Sequence, residues 1–387
     1  MANIVSTLKV KATYMRGGTS KGVFFNIDDL PHQAAVAGAY RDNFLLRVVG
    51  SPDSYGKHTD GMGGATSSTS KAVLVAKSAS PEHDVDYYFG QVAIDKAFVD
   101  WTGNCGNLTA AVGAFAIHEG LVADVPENGI ATVRIWQRNI DKTLVVHVPM
   151  QNGEVLEQGD YTIAGVDHCY ARINVDFIDP AEGAVLPTAN LTDTIEVEGV
   201  GSLEVSLINA GIATVFFNAQ CLGLTATELQ DAVNNNPQLL TKLEAIRAAG
   251  AVKMGLINDV SEAATRAHTP KVAWVSSPCD YTASSGETIK GNSINLNVRA
   301  MSMGKLHHAM MGTCAVAIAS AASIKGTLVE QACAANQTEF TFGHPSGTMV
   351  LDAASQCIEG TWQVQRVTMG RSARVLMEGR VHCPADI

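Results

Sequence analysis

Val99-Asp100-Trp101-Thr102-Gly103-Asn104-Cys105-Gly106-Asn107-Leu108-Thr109, continued by Ala110-Ala111-Val112-Gly113-Ala114-Phe115-Ala116-Ile117, is the stretch whose reading decides this fold. A cysteine set just before a glycine, a capping residue and a helix lies within reach of unpaired backbone N–H groups, which favour a thiolate and an oxyanion alike. The apolar run that follows leaves no polar face, so the helix has to be covered on all sides. About half the chain later the plan returns in Met311-Gly312-Thr313-Cys314-Ala315-Val316-Ala317-Ile318-Ala319-Ser320. Asn107 and Thr313 read as the caps of the two copies, and Gly120 and Gly326 as their stops. Two copies predict two similar halves with a cleft between them.

The bulk properties are those of an ordinary enzyme or binding protein. The chain has 387 residues, 46% hydrophobic and 17% charged, and beyond roughly 250 to 300 residues a single core usually splits. A net charge of −11 with only 27 Lys plus Arg argues against a broad nucleic-acid or membrane surface, so an anionic ligand must be held by a few placed groups. The eight cysteines, at 105, 169, 221, 279, 314, 333, 357 and 383, form no Cys-x-x-Cys pair and read as free thiols of a reducing compartment. Met1 to Lys11 has no apolar core of signal length, and no run of about 18 apolar residues follows. A cytoplasmic location is the resulting expectation.

Strand patterns dominate. They fall at Ser6–Met15, Val23–Phe25, Lys71–Ala76, Asp86–Val92, Thr132–Gln137 and Leu144–Val148 in the first half, and at Leu203–Asn209, Ala213–Asn218, Val272–Ser277, Asn295–Ala300 and Trp362–Thr368 in the second. Helical spacing covers Leu30–Val49, after Asp28-Asp29, and Thr225–Leu240. The connector Asp179-Pro180-Ala181-Glu182-Gly183-Ala184-Val185-Leu186-Pro187-Thr188 marks a boundary, giving lobes 1–182 and 183–373, with a C-terminal strand at about 374–387 free to return to the first. The predicted class is α+β: two pseudosymmetric lobes, each a curled, mostly antiparallel sheet around a central apolar helix.

Four blocks in order carry a family likeness over nearly the full length. They are Tyr14-Met15-Arg16-Gly17-Gly18-Thr19-Ser20-Lys21-Gly22, Asp60-Gly61-Met62-Gly63-Gly64-Ala65-Thr66-Ser67-Ser68-Thr69-Ser70-Lys71, Thr102-Gly103-Asn104-Cys105-Gly106-Asn107, and Met303-Gly304-Lys305-Leu306-His307-His308-Ala309-Met310-Met311-Gly312-Thr313. The chain thereby resembles the PrpF family, bacterial isomerases of 2-methylaconitate in propionate breakdown and a branch of the diaminopimelate epimerase-like fold. The resemblance implies an active site between the N-termini of two central helices and no cofactor, metal or nucleotide. The racemases and epimerases of this fold set two cysteines across the substrate; here Cys105 matches the first position and Met311 the second. Methionine cannot exchange a proton, and in the PrpF-like branch the partner is a lysine that ends the Thr-Ser-Lys stretch, matched here by Lys71.

That pair implies isomerisation of trans-2-methylaconitate to the cis isomer in the 2-methylcitrate cycle. Removing an allylic proton gives a dienolate whose former double bond can rotate before the proton returns, which calls for an acid–base pair and for donors to the enolate. Cys105 and Lys71 are the acid–base candidates, in either order. Backbone N–H groups at Gly106, Asn107, Gly312 and Thr313 are the candidate donors. Arg16 is the best fork for a substrate carboxylate, with Thr19, Ser20, Ser67, Ser68 and Lys305 as further anchors. The alternatives are a tautomerase of 4-oxalomesaconate, an isomerase of methylitaconate, or a non-catalytic accessory protein of an aconitase-like partner. Expected partners are a small tricarboxylate, a second copy of the chain and a functionally linked aconitase-like dehydratase, with no nucleic acid and no membrane. His307-His308 suggests a metal handle, but no Asp, Glu or Cys nearby completes a ligand triad. Gly61–Ser70 lacks the Gly-Lys-Ser/Thr ending of a phosphate loop.

Overall fold

The structure is a computed structural model that describes residues 6–266, 269–335 and 339–385. The chain forms two compact units, Met1–Val175 with Gly370–Ile387, and Asp176–Met369. The connector that follows Asp179 therefore opens the second unit. None of the described helices is long and apolar enough to cross a membrane, and all eight cysteines are free.

The first unit is built from β1 (Thr7–Gly17), β2 (Ser20–Asn26), helix α1 (Ala39–Val49), β3 (Lys71–Lys77), β4 (Val85–Val92), helix α2 (Gly106–His118), β5 (Gly129–Gln137) and β6 (Lys142–Gln151). Alternation fixes their faces: in β5, Ala131, Val133, Ile135 and Gln137 are buried while the residues between them are exposed or half-buried, as a period of two requires. The C-terminal strand Ala373–Pro384 pairs antiparallel with β1, from Thr7 opposite Pro384 to Gly17 opposite Ala373. From that strand the sheet runs β1, β2, β3, β4, β5, β6, with β2–β3 and β4–β5 parallel and the other pairs antiparallel. α2 touches β1, β2 and the C-terminal strand at one end of this order and β6 at the other, so the sheet curls around it. Leu108, Ala110, Ala111, Val112 and Ala116 have no exposed surface, the outcome demanded by a helix without a polar face.

The second unit repeats this order. Its strands are β7 (Asp193–Val197), β8 (Gly201–Ala210), β9 (Ile212–Asn218), β10 (Lys271–Ser276), β11 (Leu296–Ser302), β12 (Phe340–His344), β13 (Gly347–Ile358) and β14 (Thr361–Arg371), whose last two residues belong to the first unit. Its long helices are α3 (Pro237–Lys253) and the central α4 (Gly312–Ser323). β9–β10 and β11–β12 are parallel and the other neighbours antiparallel, the same alternation as in the first unit. α4 packs against β8 and β9 on one side and β13 on the other.

Two expected helices are broken. The run from Leu30 is split into His32–Ala35 and α1 by an extended Val36. The run from Thr225 is helical only over Gln230–Asn234, and α3 restarts at Pro237, whose predecessor Asn236 accepts from the Leu239 N–H. Proline has no N–H to continue a ladder and suits a first helical turn. The central helices also start earlier than their expected caps. Cys105 and Met311 hold the N-cap positions, and Asn107 and Thr313 lie inside the first turn. Gly120 follows α2 closely with φ 66, whereas α4 ends at Ser323, before Gly326.

Candidate active site

The site in the first unit is assembled at the start of α2. Cys105 has extended backbone angles (φ −112, ψ 94), and no side chain caps the helix. The Cys105 carbonyl accepts from the Thr109 N–H and hydroxyl, both at 3.1 Å. The N–H groups of Gly106 and Asn107, in the first turn, have no acceptor within the helix. The Cys105 residue is 8% exposed, with its Sγ donating to Ser20 Oγ at 3.9 Å.

Lys71 opens β3 opposite Gln91 at the end of β4. Its Nζ donates to Gln91 Oε1 at 2.5 Å and lies 4.8 Å from the Phe89 ring centroid, while Gln91 Nε2 is held by the Ser70 carbonyl at 3.0 Å. Burial pushes the Lys71 ammonium down from its ordinary value, and the group that draws it back, by charge and by hydrogen bonding, is Cys105. The amine and the thiol are thereby coupled through charge. A Cβ at Gly22 would come 2.7 Å from the Lys71 carbonyl oxygen, so only glycine lets β2 lie this close. Tyr87 of β4 is fully buried beside the same sulfur. Its phenol is pushed well above 10, first by burial and then by the Cys105 charge.

The rim of α2 is closed by the β1–β2 turn and by the chain as it enters the C-terminal strand. A Cβ at Gly17 would lie 2.6 Å from the Asn107 carbonyl oxygen, which explains the double glycine at 17 and 18 by packing. Asn107 Nδ2 donates to Thr19 Oγ1 at 3.2 Å, and its Oδ1 accepts from Arg371 Nε at 2.9 Å. Arg16 points elsewhere than expected. Its guanidinium donates to the carbonyls of Gly18 and Ser372 and to Ser372 Oγ at 2.9 to 3.2 Å, and stacks over Tyr170, so its terminal nitrogens clamp the turn.

Cys105, Lys71, Ser20, Thr19, Gly106 and Asn107 are thus brought together. Ser67 and Ser68 are not joined to them by any hydrogen bond among the described residues. Ser67 is exposed, and the Ser68 carbonyl takes the Lys21 N–H at 3.0 Å. The glycines of this loop serve its packing on the end of α1: Met62 and Gly63 donate to the carbonyls of Val48 and Val49, and a Cβ at Gly63 would come 2.8 Å from the Val49 side chain. In the second unit, Lys305 is exposed in the short strand Lys305–Leu306, and Gly312 and Thr313 are the first residues of α4, which no side chain caps. Cys314, one residue further, is buried and pushed up to about 12 by that burial.

Sequence reasoning missed Gln91, Tyr87 and Arg371. The first two could have been found by pairing the strand that begins at Lys71 with the next one, since register then puts Gln91 opposite the lysine. Arg371 stands far from Cys105 in the chain and gives no local signal.

A family model described as "PrpF protein" matches residues 7–384. This chain belongs to the PrpF family. The chain is similar to the 2-methyl-aconitate isomerase of Cupriavidus necator, at 56% identity with 99% of each chain covered. A crystal structure of methylitaconate-delta-isomerase matches with a TM-score of 0.83 and 36% identity, covering 98% of this chain and 97% of that one. A probable proline racemase from Agrobacterium radiobacter matches with a TM-score of 0.53 at 10% identity over 96% of this chain and 92% of its own, a likeness of fold alone. The fold of this chain is thereby the diaminopimelate epimerase-like one.

Proposed function

We propose that this PrpF protein is a cofactor-independent isomerase that converts trans-2-methylaconitate to its cis isomer, with Lys71 and Cys105 as the acid–base pair. What supports the chemistry is a buried amine, coupled by charge to a thiol that stands at an uncapped helix N-terminus. The 56% identity to a 2-methyl-aconitate isomerase over the whole chain supports the substrate.

In this reading Lys71, whose charged form burial disfavours, takes the allylic proton. Charge then spreads from the allylic carbon into the adjoining carboxylates, and the former double bond rotates. The N–H groups of Gly106 and Asn107, which have no acceptor within the helix, supply donors for the developing enolate without reorganisation. Cys105 returns a proton to the allylic carbon. The remaining ammonium and thiolate face each other, and one proton passing from Lys71 to Cys105 restores both groups.

Proton NMR with trans-2-methylaconitate in deuterated buffer tests this reading. It expects the cis isomer to form with label at the allylic carbon. Cys105→Ser and Lys71→Met should each lower turnover by roughly 10² to 10⁴ with KM little changed. Conversion without solvent label would remove the allylic proton from the mechanism. Turnover of methylitaconate but not of 2-methylaconitate would keep the chemistry and change the substrate.

A further inference from the structure

Arg371 is 2% exposed and lies beside the start of α2. Its Nε donates to Asn107 Oδ1 at 2.9 Å and its Nη1 to the Gly370 carbonyl at 2.9 Å. Since Oδ1 of Asn107 is taken by a donor, the Asn107 amide has one orientation, with Nδ2 turned to Thr19. The surroundings are shaped to this arrangement: a Cβ on Gly18 would fall on Asn107 Oδ1 and come within 3.0 Å of Arg371 Cδ. Gly370 in turn stands where a Cβ would lie 2.5 Å from the Tyr161 hydroxyl and 2.9 Å from Arg172 Nε.

We propose that Arg371 is the positioning residue of this site, locking Asn107 in the first turn of α2 and keeping a permanent positive charge in the field of the Cys105 sulfur. This rests on the acid–base reading of Cys105. Lys71 from β3, Tyr87 from β4 and Arg371, where the chain enters the C-terminal strand, are described groups coupled by charge to Cys105. Lys71 is a proton carrier and changes its charge during turnover, and Tyr87 is held neutral by burial. Arg371 alone of the three is cationic throughout. Its burial lowers the guanidinium to about 10, with Tyr161 and Cys105 acting in the opposite sense, which leaves it charged at neutral pH. When Cys105 gives up its proton, the thiolate forms beside a charge already in place, so no solvent or side chain has to rearrange.

The test is the pH profile of Cys105 alkylation by iodoacetamide, followed by mass spectrometry of the Cys105 peptide in the full chain, for the parent, Arg371→Gln and Arg371→Lys. Gln removes the charge and Lys keeps it without the planar fork. The Gln variant is expected to shift the profile upward by about one pH unit, a tenfold lower rate at neutral pH. The Lys variant is expected to keep the parental profile while its kcat falls and its KM does not. A parental profile in Arg371→Gln, with a parental circular dichroism spectrum, overturns the proposal. If Gln does not fold, an upward shift in the Lys variant overturns it and a parental profile sustains it. Alkylation needs no substrate, so failure to isomerise 2-methylaconitate leaves this result standing, and the two readings fall separately.

Discussion

Lys71 and Lys271 begin corresponding strands of the two units, and each lies within the field of a cysteine, Cys105 and Cys314. Their surroundings give them different work. Lys71 is tied to Gln91 and coupled by charge to a thiol at a helix N-terminus, whereas Cys314 is sealed in the core and pushed to about 12. Lys271 is lowered from 10.5 to about 8, chiefly by burial, with Cys314 opposing and Arg247 adding to the shift. Because the folded value is below the unfolded one, the unfolded chain binds more protons between about 8 and 10.5, and stability rises with pH across that window. Below pH 8 the charged, buried amine costs on the order of 3 kcal/mol. Lys271→Met is therefore expected to raise the Tm of the chain at pH 7, with the gain shrinking toward pH 10.5. An equal gain at both pH values would assign it to packing. At Lys71 the corresponding probe is Gln91→Glu, which sets a carboxylate against the amine. It should raise the ammonium and move the lower limb of the kcat/KM profile to higher pH, and an unmoved limb would remove Lys71 as the base.

At the scale of elements, α2 shows how little slack surrounds the central helices. A Cβ on Gly113 would lie 2.7 Å from Val146 Cγ1 and 2.9 Å from Val146 Cβ in β6. Gly113→Ala would gain about 1 kcal/mol of helix propensity against an overpacking cost of about 1 to 3 kcal/mol, so the variant should melt lower than the parent. Val146→Ala in the same chain should recover part of the loss; a double variant that melts at the sum of the two single losses would deny the contact. The two central helices were legible because an apolar run with no polar face has one solution, burial on all sides. The breaks were not. Asn236 and Pro237 interrupt a sequence whose spacing still looks helical, and only the capping bond to Leu239 shows where the new helix begins. The start of α2 was misread by two residues for a related reason. Asn107 looks like a cap by type, yet its amide is engaged by Arg371 and Thr19, partners that lie in other parts of the chain. The same distance hid Arg371 from the site, and it made Arg16 look like a free fork when its nitrogens hold Ser372.

Across the whole molecule, the two units share one order of strands, but they fill its first place differently. In the second unit β7, just ahead of β8 in sequence, takes it. In the first, the strand beside β1 is the C-terminal Ala373–Pro384, so this unit closes only when the end of the chain is present. Val381 and Cys383 of that strand are buried in one apolar cluster with Val10, Ala12, Phe25 and Phe44, and α2 also packs against the strand. A chain ending at Ser372 would leave β1 with an unpaired edge and these side chains in water, and an unpaired apolar edge is a site of aggregation. Truncation after Ser372 is therefore expected to abolish hydrogen-exchange protection in β1 and α2 while β9 and β10, whose neighbours are all within the second unit, keep theirs. A synthetic peptide of residues 373–387 added in trans should restore protection in β1, because the ladder from Thr7 to Gly17 supplies its register. Protection of β1 at the parental level without the peptide would mean that the first unit closes without its last strand.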